Sequence, residues 1–172
     1  MEKIRTQLKI DGKLQDVEIE NGEIKIIEQN PKQTGWERGK FRESYYAQDS
    51  RTTQHDIEVG DQYDYKRYSI ANYFSNKELA ENIFRTQKLQ RQLFRWHTEN
   101  DAPINFKDLD NEKWKIFYDL HDKTLKVTDI YFSVVGFIPY FSSRKVAEEC
   151  LEVFKDKLTW LFTEFKWRMD TE

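Results

Sequence analysis

The segment Tyr73-Phe74-Ser75-Asn76-Lys77-Glu78-Leu79-Ala80-Glu81 returns 67 residues later as Tyr140-Phe141-Ser142-Ser143-Arg144-Lys145-Val146-Ala147-Glu148. Five of the nine positions are identical, and the others keep much of their character. An aromatic, strand-like run precedes each copy, Ser44-Tyr45-Tyr46-Ala47 in one case and Lys115-Ile116-Phe117-Tyr118 in the other. A long helical run follows each. A strand–strand–helix unit used twice constrains the fold more than any other feature of the chain. It also separates duplicated scaffold from unduplicated surface, where function is sought first.

The reading is an α+β protein: an N-terminal β-meander over residues 1–30, then two homologous antiparallel-sheet-plus-long-helix repeats over 36–100 and 112–170. The long helices are expected to pack on their own sheets. In the meander, Ile4, Leu8 and Ile10 share one parity, Asp11-Gly12 and Asn21-Gly22 are two-residue hairpin signals, and Leu14, Val17, Ile19, Ile24, Ile26 and Ile27 supply the later strands. Residues 29–42, with Pro31, Gly35 and Gly39, read as a loop in which Trp36 anchors onto the first repeat.

Within that repeat, Tyr45-Tyr46 begins a strand, residues 49–54 turn, Ile57 to Val59 form a short strand, and Tyr65 to Asn72 run extended. Ser75 followed by Glu78 predicts a helix N-terminus with a capping box, and the helix is expected over 76–98. Residues 99–112 form an acidic loop with Pro103 and Asp108-Leu109-Asp110-Asn111. In the second repeat, Trp114, Ile116 and Tyr118 alternate in a strand, His121-Asp122-Lys123 turns, and Leu125 and Val127 return. Tyr131 to Phe141 is an apolar run bent by Gly136 and Pro139. Ser142 is expected to cap the last helix, with Lys145 where the first box has Glu, and Val146, Cys150, Val153, Phe154, Leu158, Leu161 and Phe165 form its apolar stripe.

Twelve Phe, nine Tyr and five Trp supply an aromatic core, expected to comprise Trp36, Tyr46, Phe74, Trp96, Trp114, Tyr118, Phe141, Phe154 and Trp160. At 172 residues the chain is one large domain or two small ones, and about 70% of its unfolded surface would be buried on folding. Cys150 is the single cysteine, so no internal disulfide forms and a reducing, cytoplasmic setting is expected. No window approaches about 18 apolar residues, and Met1-Glu2-Lys3-Ile4-Arg5 lacks the apolar stretch of a secretion signal, so neither a membrane span nor a signal is expected.

The net charge of −3 argues against a general polyanion coat, so any nucleic-acid role needs a local patch. One exists. Arg85, Lys88, Gln92 and Arg95 step by three or four residues on the first long helix, with Arg91 at the edge and Lys66-Arg67 just upstream. Such a stripe can grip phosphates while Tyr63, Tyr65 and Tyr68 offer stacking faces. A solvated helix face is the plain alternative. Lys155, Asp156, Glu152 and Glu149 make the second helix mixed in sign. Asp56, Glu58, Asp61 and Asp64, and then Asp108, Asp110 and Glu112, could mimic a phosphate backbone for another protein, or serve as ordinary loop charges.

His55, His97 and the pair Asp119 with His121 are the metal or acid–base candidates, but their spacing matches no ligand set, and no phosphate loop or nucleophile elbow is present. No metal, cofactor or catalytic residue is expected, and Cys150 reads as a core residue.

The motifs Gln33-Thr34-Gly35-Trp36-Glu37-Arg38, Tyr45-Tyr46, Tyr68-Ser69-Ile70-Ala71-Asn72-Tyr73-Phe74-Ser75, Ala80-Glu81-Asn82 and Lys88-Leu89-Gln90-Arg91-Gln92-Leu93 together resemble a family of small phage and prophage proteins of Firmicutes. The second half, with Trp114-Lys115-Ile116-Phe117-Tyr118, Tyr140-Phe141-Ser142-Ser143 and Ala147-Glu148, is similar to the C-terminal pattern of that family. No reaction is established for the family. The resemblance implies a phage or mobile-element accessory protein, of the kind that includes anti-CRISPR inhibitors of bacterial defence. Its expected function is stoichiometric, non-enzymatic inhibition of a host protein or ribonucleoprotein complex in the bacterial cytoplasm. The alternative is a nucleic-acid or nucleotide-binding module, contacting RNA or DNA through the basic face of the first helix.

Overall fold

Apolar residues alternating with Glu and Lys build the first element group, a three-stranded antiparallel sheet. Its strands are β1 (Ile4–Ile10), β2 (Lys13–Glu20) and β3 (Glu23–Ile26), in the order β1-β2-β3. The register pairs Ile4 with Ile19, Thr6 with Val17, and Ile19 with Ile24. Val17 is fully buried. Gly22 has φ +81, the left-handed conformation that a tight hairpin turn requires and that glycine adopts without a Cβ clash.

This computed structural model describes residues 4–10, 13–20, 22–26, 34–49, 52–108, 111–130 and 137–169. The hairpin residues Asp11, Gly12 and Asn21, together with Ile27, Pro31, Leu109, Asp110 and the apolar run from Tyr131 to Gly136, lie outside the described residues. The fold is α+β. The chain divides into two units, Met1–Thr34 with Glu172, and Gly35–Thr171.

The second unit contains two hairpin-and-helix modules. In the first, β4 (Ser44–Gln48) pairs antiparallel with β5 (Thr53–Ile57), the short α1 (Gln62–Ser69) follows, and α2 (Lys77–Asn100) packs on the hairpin. In the second, β6 (Lys113–Asp119) pairs with β7 (Thr124–Ile130), and α3 (Arg144–Thr163) packs on them. α2 and α3 also touch each other.

Both modules use the same device to join hairpin to helix. Tyr46 and Phe74 exchange two backbone hydrogen bonds of 2.8 Å each, and Trp114 and Phe141 exchange two of 2.9 and 2.8 Å. A tryptophan packs on each bridging phenylalanine, Trp36 on Phe74 at 4.9 Å and Trp96 on Phe141 at 6.3 Å. The serine after each phenylalanine is tied to a carboxylate upstream. Ser75 Oγ donates to Glu37 Oε2 at 2.9 Å, while Ser142 donates to Asp101 through both its hydroxyl and its amide.

The helix caps therefore fall one residue later than the sequence predicts. Asn76 Oδ1 accepts from the Leu79 amide at 3.0 Å, and Ser143 Oγ accepts from the Val146 amide. Ser75 and Ser142 are latches, and Asn76 and Ser143 are the caps. Glu78 forms no capping box at α2; the box sits at α1, between Asp61 and Asp64.

Two further segments differ from expectation. Tyr65 to Asn72 is not extended, because α1 occupies most of it. Asp61 accepts from the amides of Tyr63 and Asp64, and Asp64 accepts from that of Asp61, so side chains of the helix itself satisfy its first turn. The second strand of the first hairpin is Thr53–Ile57, not Ile57 to Val59, and it takes in Thr53 and Gln54, the last two residues of the expected turn.

The aromatic core also shifts. Phe74, Phe141, Phe154 and Trp160 are buried as expected, whereas Trp36, Tyr46, Trp96, Trp114 and Tyr118 are only partly buried. Tyr45, Tyr73 and Tyr140 take the interior positions. Leu89, Leu93, Ile116, Phe141, Ala147, Cys150, Phe154 and Leu158 form the largest core cluster, so α2 contributes to the interior of the second module.

Candidate anion-binding groove

α2 presents its aliphatic residues to the hairpins and core, and its long basic residues to solvent. Leu79, Ala80, Thr86, Leu89 and Leu93 are buried, while Arg85, Lys88, Arg91 and Arg95 are exposed. α3 runs close by and adds two side chains. Arg85 Cζ lies 3.7 Å from the centroid of the Trp160 ring, and Lys157 Nζ donates to Gln92 Oε1 at 2.9 Å. Arg85, Lys88, Leu89, Gln92 and Lys157 line a groove of about 260 Å³. None of these lining residues is acidic.

The contacts explain why the groove stays positive. Stacking on an indole orients a guanidinium without neutralising it. The Gln92 amide oxygen holds Lys157 at one of three ammonium donors and likewise leaves the charge intact. Several other cations on the unit sit against carboxylates: Arg38 on Glu58, Arg67 on Asp56, Lys77 on Glu81, Lys126 on Asp119 and Asp122, and Arg144 on Glu148. Among the described residues no carboxylate pairs with Arg85, Lys88 or Lys157, so the groove concentrates positive charge on a chain whose net charge is −3.

The other candidate residues have different placements. Arg91 and Arg95 are exposed on α2 but do not line the groove. Lys66 is exposed on α1. Arg67 faces inward, where it donates to the Tyr45 hydroxyl at 2.6 Å and to Asp56. Tyr63, Tyr65 and Tyr68 are exposed, and Arg38 lies 3.9 Å over the Tyr65 ring.

Of the acidic candidates, Glu58 and Asp64 are buried and organise the first module from within, while Asp56 and Asp61 are exposed and hold Arg67 and the α1 N-terminus. Glu58 takes a two-point ion pair from Arg38 at 2.8 and 3.1 Å. Asp64, 3% exposed, accepts from the Tyr45 hydroxyl at 2.7 Å and from the amides of Val59, Gly60 and Asp61. Tyr45 and Tyr73 stack at 4.0 Å beneath this network.

The titrations follow from these partners. Arg38 holds the Glu58 carboxyl below its usual range, and Arg67 does the same for Asp56. Burial works against the charged form of Asp64, but the Tyr45 hydroxyl and the surrounding amides outweigh it, and its pKa is also depressed. Burial pushes Tyr45 and Tyr73 up to about 12. In the 108–112 segment, Asp108 accepts from Asn111, and its carbonyl accepts from the buried Lys113 ammonium. Glu112 is exposed.

The three histidines lie on separate elements. His55 is in β5, His97 is in the last turn of α2 beside Asp101, and His121 is exposed in the β6–β7 turn with its Nδ1 2.8 Å from Asp122. Among the described residues, no group of three or more His, Cys, Asp or Glu is placed to hold a metal ion. Cys150 is buried, and its thiol is pushed up to about 12 by burial, which opposes thiolate formation. No described helix is long and apolar enough to cross a membrane.

Sequence reasoning found the α2 half of the groove and missed the α3 half. Lys157 and Trp160 lie three residues apart on α3, a spacing that puts both on one side of a helix, but only tertiary packing brings them to Arg85 and Gln92. No family model matches the chain, and comparison with curated proteins and with solved structures returned no match.

Proposed function

We propose that this protein is a non-enzymatic binding protein that acts by occupying an anionic surface of a host protein or ribonucleoprotein through the α2–α3 groove. The motif resemblance supports a phage or mobile-element origin, and hence stoichiometric inhibition of a bacterial defence complex. The observation that carries the binding reading is the meeting of Arg85, Lys88 and Lys157, from two helices, around a groove with no acidic lining residue. Desolvating unpaired charges is unfavourable unless a partner compensates them, and such a patch steers and orients an oppositely charged surface.

The test is affinity capture from a Firmicutes host lysate, comparing the protein with a Lys88→Glu, Lys157→Glu variant. Both side chains are exposed, so the variant is expected to fold, which circular dichroism and melting check. Capture that the reversal abolishes supports the reading. Equal capture by a folded double variant rejects the groove as the contact.

A further inference from the structure

We infer that the anionic element received by the α2–α3 groove is a single strand of nucleic acid, with a base stacked on the outer face of the Arg85 guanidinium and phosphates on Lys88 and Lys157. This rests on the reading of the groove as an anion site and specifies its occupant. Three observations favour an unpaired strand over an acidic protein surface.

Arg85 comes first. Its guanidinium carbon is 3.7 Å from the Trp160 ring, and that indole is itself only 7% exposed. One face of the guanidinium is therefore backed by a ring fixed in the protein, while Arg85 as a whole is exposed. A planar cation held in this way offers its second face at a set angle, and guanidinium planes are stacking platforms for unpaired bases. A carboxylate would exploit the charge of Arg85 but not the plane.

The second observation is the lining. Leu89, only 2% exposed, is the one aliphatic residue that touches the groove and leaves its floor uncharged. That suits the edge of a sugar or base better than a dense row of carboxylates. Thirdly, Lys157 is anchored through Gln92 with two ammonium donors left, and Lys88 stands across from it on α2. Positive ends on two helices flanking a stacking face are the elements with which single strands are tracked: charge for the backbone, a flat surface for the base. A duplex keeps its bases stacked inside and can use only the charges.

The probes are a short RNA, a DNA of the same sequence, and the corresponding duplex, each followed by fluorescence anisotropy between about 50 and 200 mM salt. Single strands should bind more tightly than duplex, with a slope of log affinity against log salt of about −1.4, as two lysine–phosphate contacts give. Arg85→Lys keeps the charge and removes the plane. It should lower single-strand affinity roughly tenfold while leaving the slope unchanged. Lys88→Gln with Lys157→Gln should instead flatten the slope to about zero. If Arg85→Lys binds as the parent does, or duplex binds as tightly as single strand, the stacking inference is overturned. If no oligonucleotide binds, but a nuclease-treated lysate still yields a partner lost in Lys88→Glu, Lys157→Glu, the inference fails while the anion groove stands with an acidic protein as its occupant. Loss of both results rejects the two together.

Discussion

The two hairpin-and-helix modules share a frame and differ in what fills it. Each joins its hairpin to its helix through a bridging phenylalanine, a tryptophan packed on that ring, and a latched serine just before the cap. Beneath that frame, the second module is apolar, with Ile116, Phe141, Ala147, Cys150, Phe154 and Leu158 in one cluster with α2. The first is polar inside: two stacked tyrosines, whose hydroxyls are held by a buried aspartate and by a loop amide, beside two arginine–carboxylate pairs. An apolar interior tolerates exchange of one hydrophobe for another of similar volume, whereas a hydrogen-bonded network must be satisfied throughout. The frame thus fixes the path of the chain, and each filling sets how that module responds to mutation and to pH.

The largest expected effect tests whether the frames are equivalent. Phe141→Ala and Phe74→Ala should each destabilise the protein by about 3–5 kcal/mol in urea titrations, since both rings are buried and both seat a tryptophan. A difference between them of more than about 2 kcal/mol would break the equivalence, because matched cavities should cost alike.

Next comes the polar filling. Asp64→Asn exchanges a carboxylate that accepts from Tyr45 and three amides for a group that must itself donate. It should cost about 2 kcal/mol, the scale of leaving buried donors unsatisfied. A conservative swap in the apolar filling, Cys150→Ala, should cost less. The reverse order would show that the network is not what holds the first module.

The acid response sharpens the same contrast. Asp64 and Glu58 have folded pKa values below the ordinary 3.8 and 4.5. Their contribution is complete above those ordinary values and declines as the pH falls through the lower folded ones. Stability should therefore drop as the pH is taken below about 4.5, and Asp64→Asn should flatten that drop. Asp119→Asn removes an ion pair at the β6–β7 turn that solvent screens, and should leave the acid slope nearly unchanged. Equal flattening by the two variants would place the acid sensitivity elsewhere.

The smallest effect concerns the caps. Asn76→Ala and Ser143→Ala should each cost about 1 kcal/mol. If Ser75→Ala costs more than Asn76→Ala, the latch to Glu37 outweighs the cap.

The repeated Tyr-Phe-Ser segment made both modules legible, because bridge, latch and cap are local and each leaves a residue signature. The caps were read one position early because Ser75-Asn76 and Ser142-Ser143 each place two capping residues side by side. α1 was not legible from periodicity. Its sequence Gln62-Tyr63-Asp64-Tyr65-Lys66-Arg67-Tyr68-Ser69 has no aliphatic stripe, and clustered tyrosines suggest a strand. Its one local sign was Gly60 followed by Asp61 and Asp64, with aspartate in place of the usual Glu or Gln of a capping box. Tyr45 and Tyr46 are identical in type, so composition could not choose which faces inward; the Asp64 carboxylate and the Tyr73 ring decide it. Half of the groove was visible as a helical stripe. The other half depends on how α2 meets α3, which no local spacing encodes.

Asp101 ends α2, with its amide bonded to the His97 carbonyl, and its carboxylate, fully shielded from solvent, grips the amide and hydroxyl of Ser142 at the threshold of α3. One side chain is thus the closing point of one helix and the mooring of the next. Fraying of the last turn of α2 would displace Asp101 from Ser142, so the length of one helix and the seating of the next depend on the same residue.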